Sequence, residues 1–118
     1  MKRQKFIVLS KTEFEFLFIN ASYNVGHFEA TMNELRNMLG KKYTRGGDKT
    51  NATWEIMLED KTYFTIYDYK YYGKNSPILN PNLTITWSIG SHNKESGLKA
   101  MLFLEQLKKE KELLKCLK

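Results

Sequence analysis

Apolar and polar residues alternate with a period of two in three stretches of the second half of the chain. Trp54, Ile56 and Leu58 interleave with Thr53, Glu55, Met57 and Glu59. Phe64 and Ile66 interleave with Tyr63, Thr65 and Tyr67, and Ile85, Trp87 and Ile89 with Thr84, Thr86 and Ser88. This pattern belongs to half-buried antiparallel strands. Asp60-Lys61 joins the first two as a hairpin. The three segments predict an antiparallel sheet whose tryptophan-bearing face needs a cover of helices. The opposite face carries Thr53, Glu55, Met57, Tyr63, Thr65, Tyr67, Tyr69, Thr84, Thr86 and Ser88, so it is polar yet rich in tyrosine.

Helical spacing predicts that cover. Ser10 and Glu13 form a capping box ahead of a helix over Lys11–Ile19, with Phe14, Leu17 and Phe18 on one stripe. Phe16 and Ile19 thicken the stripe and leave a strand open as the alternative. Thr31 and Glu34 form a second capping box, and Met32, Leu35, Met38 and Leu39 share one face of the helix that follows. Gly40 suits its C-terminal end, because glycine enters the left-handed region cheaply. A third helix runs from about Lys94 toward the C-terminus, capped by Ser91 or Asn93. Leu98, Met101, Leu102, Glu105 and Leu107 mark one side of it, and Phe103 and Leu104 widen the apolar face. Phe6–Leu9 reads as a short buried strand or an apolar lead-in, and Asn20–Phe28 as a turn-rich stretch with room for a short strand around Tyr23–Phe28. Tyr43–Thr50 and Tyr72–Asn82 read as loops. The fold class is α+β: a small antiparallel sheet of three or more strands, covered on one face by helices, with a long C-terminal helix. One domain spans 1–107, and 108–118 is a charged helical tail.

Composition narrows the setting. A length of 118 residues fits a single domain. The aromatic share of 14% argues against a disordered chain. A net charge of +6 favours anionic partners, although no run of five or six Lys/Arg occurs. Cys116 is the single cysteine, so no intrachain disulfide forms. A free thiol in a reducing, cytoplasmic setting is expected, with a disulfide-linked dimer as the alternative. No apolar run approaches a membrane span, and Phe6–Leu9 is too short for a signal sequence.

The run Trp54 to Lys70, with Thr65-Ile66-Tyr67-Asp68-Tyr69-Lys70 at its end, is followed by Trp87-Ser88-Ile89-Gly90. It resembles a set of small uncharacterised proteins of tailed phages and large DNA viruses. Those read roughly W-x-I-x-F-x-D-G-T-x-x-T-I-Y-D-[YW]-K, then a loop, then W-x-I-G-G. The likeness extends from about Leu35 to Lys99, and Met38-Leu39-Gly40 matches an upstream helix end. Lys61 stands where glycine is usual, so the hairpin accepts a cost of roughly 1 kcal/mol or uses another turn. Ser91 replaces the second glycine. The resemblance implies a viral setting, hence the host cytoplasm, and this fold; it implies no reaction.

Candidate chemistry centres on Tyr67-Asp68-Tyr69-Lys70. Alternation turns Asp68 inward near the end of a strand, where a carboxylate must be hydrogen-bonded or paired. It is either a structural bond to a loop or helix end, or a ligand-gripping group at a pocket rim beside Lys70 and a tyrosine. Arg45-Gly46-Gly47-Asp48-Lys49 is either a flexible loop or an anion cradle, since glycines let backbone N–H groups approach phosphate. It lacks the ending of a P-loop. His27 and His92 have no ligands at metal spacing, so neither metal nor cofactor is expected. His92 either contacts an anion or is an ordinary turn residue. Leu113, Leu114 and Leu117 lie past the domain's edge and suggest contact with a second copy. Asn51 stands out only as part of an Asn-x-Thr triplet.

Three function classes follow. The first is a non-enzymatic viral accessory protein of the counter-defence type, which sequesters an anionic nucleotide signal or blocks a host immune protein. There Tyr67 or Tyr69 stacks the base, Lys70, Lys49 and Arg45 meet phosphate, and Asp68 reads a base or ribose edge. The second is nucleic-acid binding through the same residues. The third is a small hydrolase using Asp68 and His92, which requires the two within hydrogen-bond reach.

Overall fold

A computed structural model describes residues 3–10, 23–45 and 49–116. In chain order the elements are β1 (Phe6–Val8), β2 (Tyr23–Ala30), α1 (Met32–Leu39), β3 (Thr44–Arg45), β4 (Ala52–Leu58), β5 (Tyr63–Tyr67), a single 3-10 turn (Gly73–Asn75), β6 (Ile85–Ser91) and α2 (Lys94–Cys116). The strands join one antiparallel sheet in the order β1-β4-β5-β6-β2, with β3 on the start of β4. The three alternating segments are its centre, and β1 and β2 close its edges. The helix expected over Lys11–Ile19 lies outside the described residues.

The central hairpin sets the frame, pairing Thr53 with Tyr67 and Met57 with Tyr63. Its turn is not the two-residue type I′ form. Lys61 N–H donates to the Leu58 carbonyl (3.0 Å), and Leu58 N–H donates to the Thr62 carbonyl (2.8 Å). Lys61 takes the left-handed position, φ 71°. This is the three-residue hairpin loop, whose last residue is commonly glycine. Asp60 offsets part of the strain, since its Oδ1 accepts from Thr62 N–H at 2.9 Å.

Trp54, Ile56, Phe64, Ile66, Trp87 and Ile89 are all 0% exposed under the two helices. The tryptophans fix α1 at both ends. Trp87 Nε1 donates to the Ala30 carbonyl before the helix (3.0 Å), and Trp54 Nε1 donates to the Gly40 carbonyl after it (3.1 Å). The capping box forms as expected: Thr31 Oγ1 accepts from Glu34 N–H, and Glu34 Oε1 accepts from Thr31 N–H. Gly40 closes the helix at φ 91°.

Three expectations are corrected. Thr44–Arg45 is not loop, because its backbone pairs with Thr53 and Ala52. The strand after the long loop runs on through Gly90 to Ser91. Of the two residues expected to cap α2, Asn93 does so, its Oδ1 accepting from Ser96 N–H, while the Ser91 hydroxyl donates to the Tyr63 carbonyl. The core face of α2 is Gly97, Ala100, Phe103, Leu104 and Leu107, whereas Leu98 and Leu102 point to solvent. The tyrosine-rich sheet face, on which the sequence is undecided, is partly covered. Glu55, Tyr63, Thr65 and Ser88 are buried, and Leu9 packs with Tyr63 and Met57 as a second small cluster.

Past Lys108, α2 continues unbroken to Cys116. Arg3 holds it there with a two-pronged contact, Nε to Glu110 Oε2 at 2.7 Å and Nη2 to Oε1 at 3.2 Å.

Candidate functional site

β4 begins and β5 ends at the same end of the sheet. The register that sets Thr53 beside Tyr67 brings Asn51 and Ala52 against Asp68. Asp68 is 0% exposed. Its Oδ1 accepts from the N–H groups of Asn51 and Ala52, both at 2.8 Å, and its Oδ2 accepts from Asn51 Nδ2 at 2.7 Å. Asn51 Nδ2 also donates to the Tyr71 carbonyl at 2.6 Å. Backbone donors solvate the carboxylate in place of water, so burial costs little. The side chain therefore clasps the two chain segments and points into the protein.

What the clasp holds is a rim. Lys70 stands at φ 63°, and its N–H donates to the Lys49 carbonyl at 2.9 Å, which sets the two lysines side by side. Arg45 is exposed on β3, opposite Ala52. Tyr69 is 46% and Tyr72 58% exposed, and Lys70 Nζ lies 5.3 Å from the Tyr69 ring centroid. Beside Arg45 is a depression of about 500 Å³ bordered by Asn51, Gly73, Ser76, Ile78 and Leu79. Its far wall is the long loop, which carries its own bonds: Asn80 Nδ2 donates to the Lys74 carbonyl, and Asn80 N–H to the Ser76 carbonyl. Gly46, Gly47 and Asp48 lie outside the described residues, so the cradle they were expected to form is not part of this geometry.

The expected residues thus divide. Arg45, Lys49, Asp68, Tyr69 and Lys70 lie at the same end of the sheet. Tyr67 adjoins them but is half-buried on β5, and burial, with Tyr69 adding, holds its phenol above the usual tyrosine pKa. His92 is elsewhere. It follows β6 at the opposite end of β5, with its ring edge-on to Tyr63 at 4.0 Å. The length of β5, roughly 16 Å at about 3.3 Å per residue, separates it from Asp68. The Asp68–His92 pair that a hydrolase reading requires is not formed. His92 borders a separate depression with Asn24, Val25, Asn93 and Lys94.

Two features escaped sequence reasoning. Asn51 is the donor that completes the Asp68 clasp; counting outward from the hairpin turn places its neighbour Ala52 opposite Asp68, and that count was the available signal. A cleft of about 340 Å³ also lies between α1 and the end of α2, where Asn33, Asn37 and Asn82 face Lys108, Lys111 and Lys115. The three lysines share a helix face, but nothing in sequence says that α1 stands opposite.

Among the described residues no group of three or more His, Cys, Asp or Glu could hold a metal ion. No helix among them is long and apolar enough to cross a membrane. Neither the protein-family models nor the curated proteins contain a match to this chain.

Proposed function

We propose that the protein binds single-stranded nucleic acid, with the Arg45–Lys49–Lys70 rim on the phosphates and the Tyr69 and Tyr72 rings against bases. One observation carries this reading: the exposed Tyr69 ring lies beside Lys70, whose backbone is bonded to that of Lys49, at the strand end that the buried Asp68 clasp holds in shape. Stacking on tyrosine tolerates any base, and lysine and arginine contacts to phosphate read no sequence. The net charge of +6 supports the same class of partner. In the viral setting that the motif resemblance implies, the protein is an accessory factor acting on viral or host strands in the host cytoplasm.

The test is fluorescence anisotropy of a labelled single-stranded oligonucleotide over a salt series. Three phosphate contacts give a log–log salt slope of about −2. Replacing Arg45, Lys49 and Lys70 with alanine flattens that slope, and Tyr69→Ala weakens binding about tenfold. Absence of binding at low salt, or a slope indifferent to the triple substitution, overturns the reading.

A second reading, capture of a free nucleotide as a counter-defence device, is favoured by the depression beside Arg45. Its volume of about 500 Å³ is in the range of small-ligand pockets. Titration calorimetry against cyclic and linear nucleotides separates the two: heat with a mononucleotide supports capture, and heat with oligonucleotides alone supports the strand.

A further inference from the structure

We propose that the cleft between α1 and the end of α2 binds a small polyanion, a chain of two or three linked phosphate groups. One wall is the last stretch of α2, which lines the cleft with Lys108, Lys111 and Lys115. At about 100° per residue the three fall within about 60° of one another around the helix, and they span about 10 Å along it. That spread suits a row of negative charges better than a single one. Lys108 and Lys111 are half-buried, and among the described residues none of the three lysines forms an ion pair. Lys108 Nζ lies 5.6 Å from the Phe28 ring centroid, which steadies the ammonium without neutralising it. Cations gathered along a concave site of about 340 Å³ repel one another, and a bound anion relieves that repulsion.

The opposite wall supplies neutral hydrogen-bonding groups and is already fixed. Asn33 N–H donates to the Pro81 carbonyl at 3.0 Å, and Asn33 Nδ2 donates to Asn82 Oδ1 at 2.6 Å. These bonds tie the start of α1 to the end of the long loop. They leave the side-chain amide nitrogens of Asn37 and Asn82 for phosphate oxygens. Two carboxylates also border the cleft. Glu34 Oε1 is occupied by the Thr31 N–H of the capping box. Glu112 stands beside the lysines on α2 and opposes an anion, so it limits the affinity. Three cations against two carboxylates still leave the cleft positive. Leu113 and Leu114 are exposed but turn away from the lysine face, and Leu117 lies outside the described residues. None of the cleft residues belongs to the Arg45–Lys70 rim, so this proposal stands or falls apart from strand binding.

Titration calorimetry of the full chain with inorganic triphosphate tests it. The expected result is one site with a dissociation constant of about 100 µM or lower at low salt. Lys111→Ala with Lys115→Ala weakens binding about tenfold or more, because charge-assisted contacts are lost, while circular dichroism stays as in the wild type. Arg45→Ala with Lys70→Ala removes the same charge from the rim and changes the affinity by about twofold or less. Glu112→Gln tightens binding, and the side-chain amide resonances of Asn37 and Asn82 shift during the titration. Absence of heat at about 5 mM triphosphate overturns the proposal. Equal losses from the two double substitutions overturn it too, since they would show attraction to net charge alone. A nucleoside triphosphate is the second arm. Affinity equal to or above that of inorganic triphosphate keeps the phosphate chain as the recognised group, and heat from the nucleotide alone refutes it.

Discussion

Asp68 is fully buried and bonded on both carboxylate oxygens. A carboxylate with no exposed surface persists only because backbone and amide donors surround it. Asp68→Ala leaves the Asn51 and Ala52 N–H groups buried without an acceptor, and we expect a loss of about 3 kcal/mol in urea unfolding. Asp68→Asn keeps the shape but turns one acceptor into a donor facing donors, and costs about 2 kcal/mol. Both should also loosen Lys49 and Lys70, so that the nucleic-acid affinity proposed above falls with stability. Asn51→Ala tests the other half of the clasp; it removes one of the three bonds to Asp68 and costs less than Asp68→Ala. The inward orientation of Asp68 was legible from strand alternation. Its partner was not, because alternation says which face a side chain takes and nothing about which backbone lies there.

Between elements, the decisive contact is α2 on β2. A Cβ added at Gly97 would collide with the Val25 side chain, and one at Gly26 would collide with the Met101 thioether. Val25 sits where the β2–β6 register shifts, so the irregular strand and the glycine of the helix meet. We expect Gly97→Ala to destabilise by about 2 kcal/mol, because β-branched Val25 cannot yield. Gly26→Ala should cost less, since methionine adapts its rotamers. Paired thermal melts read the difference. The same contact explains why the apolar face read from sequence held the exposed Leu98 and Leu102 together with the buried Phe103, Leu104 and Leu107. Ranking by hydrophobicity favoured Leu98 and Leu102. Close approach favoured Gly97 and Ala100, whose small size lets the helix axis come near the sheet.

Over the whole molecule, the two ends of the chain are tied across its length. Arg3 and Glu110 are 107 positions apart, and the guanidinium also lies near the rings of Phe6 and Phe103. The Arg3 hydrogen bond holds the Glu110 carboxyl below its ordinary pKa, against a smaller opposing effect of desolvation. A lowered folded-state value stabilises the fold fully above the ordinary glutamate value of 4.5, and the gain is lost as pH falls through the lower folded value. Glu110→Gln should therefore lower the melting temperature at neutral pH and converge with wild type in acid. The pair is partly exposed, so the neutral-pH effect is on the order of half a kcal/mol. Equal differences at pH 7 and in strong acid would assign the loss to packing instead. The two ends of the sheet also differ: the exposed Tyr69 follows the end of β5, and His92 packs edge-on against Tyr63 where β5 starts.

By itself the sequence determined the three central strands, the two buried tryptophans, the capped helix α1 and the long helix α2. These follow from local periodicity, because burial on one face must recur every two residues in a strand and every three to four in a helix. Tertiary structure alone decided which strand closes each edge, which side of α2 faces the core, and that Asp68 is locked by Asn51. Each of these depends on what stands opposite a residue in space. A pattern of side chains along one chain carries no record of that until the chain folds back upon itself.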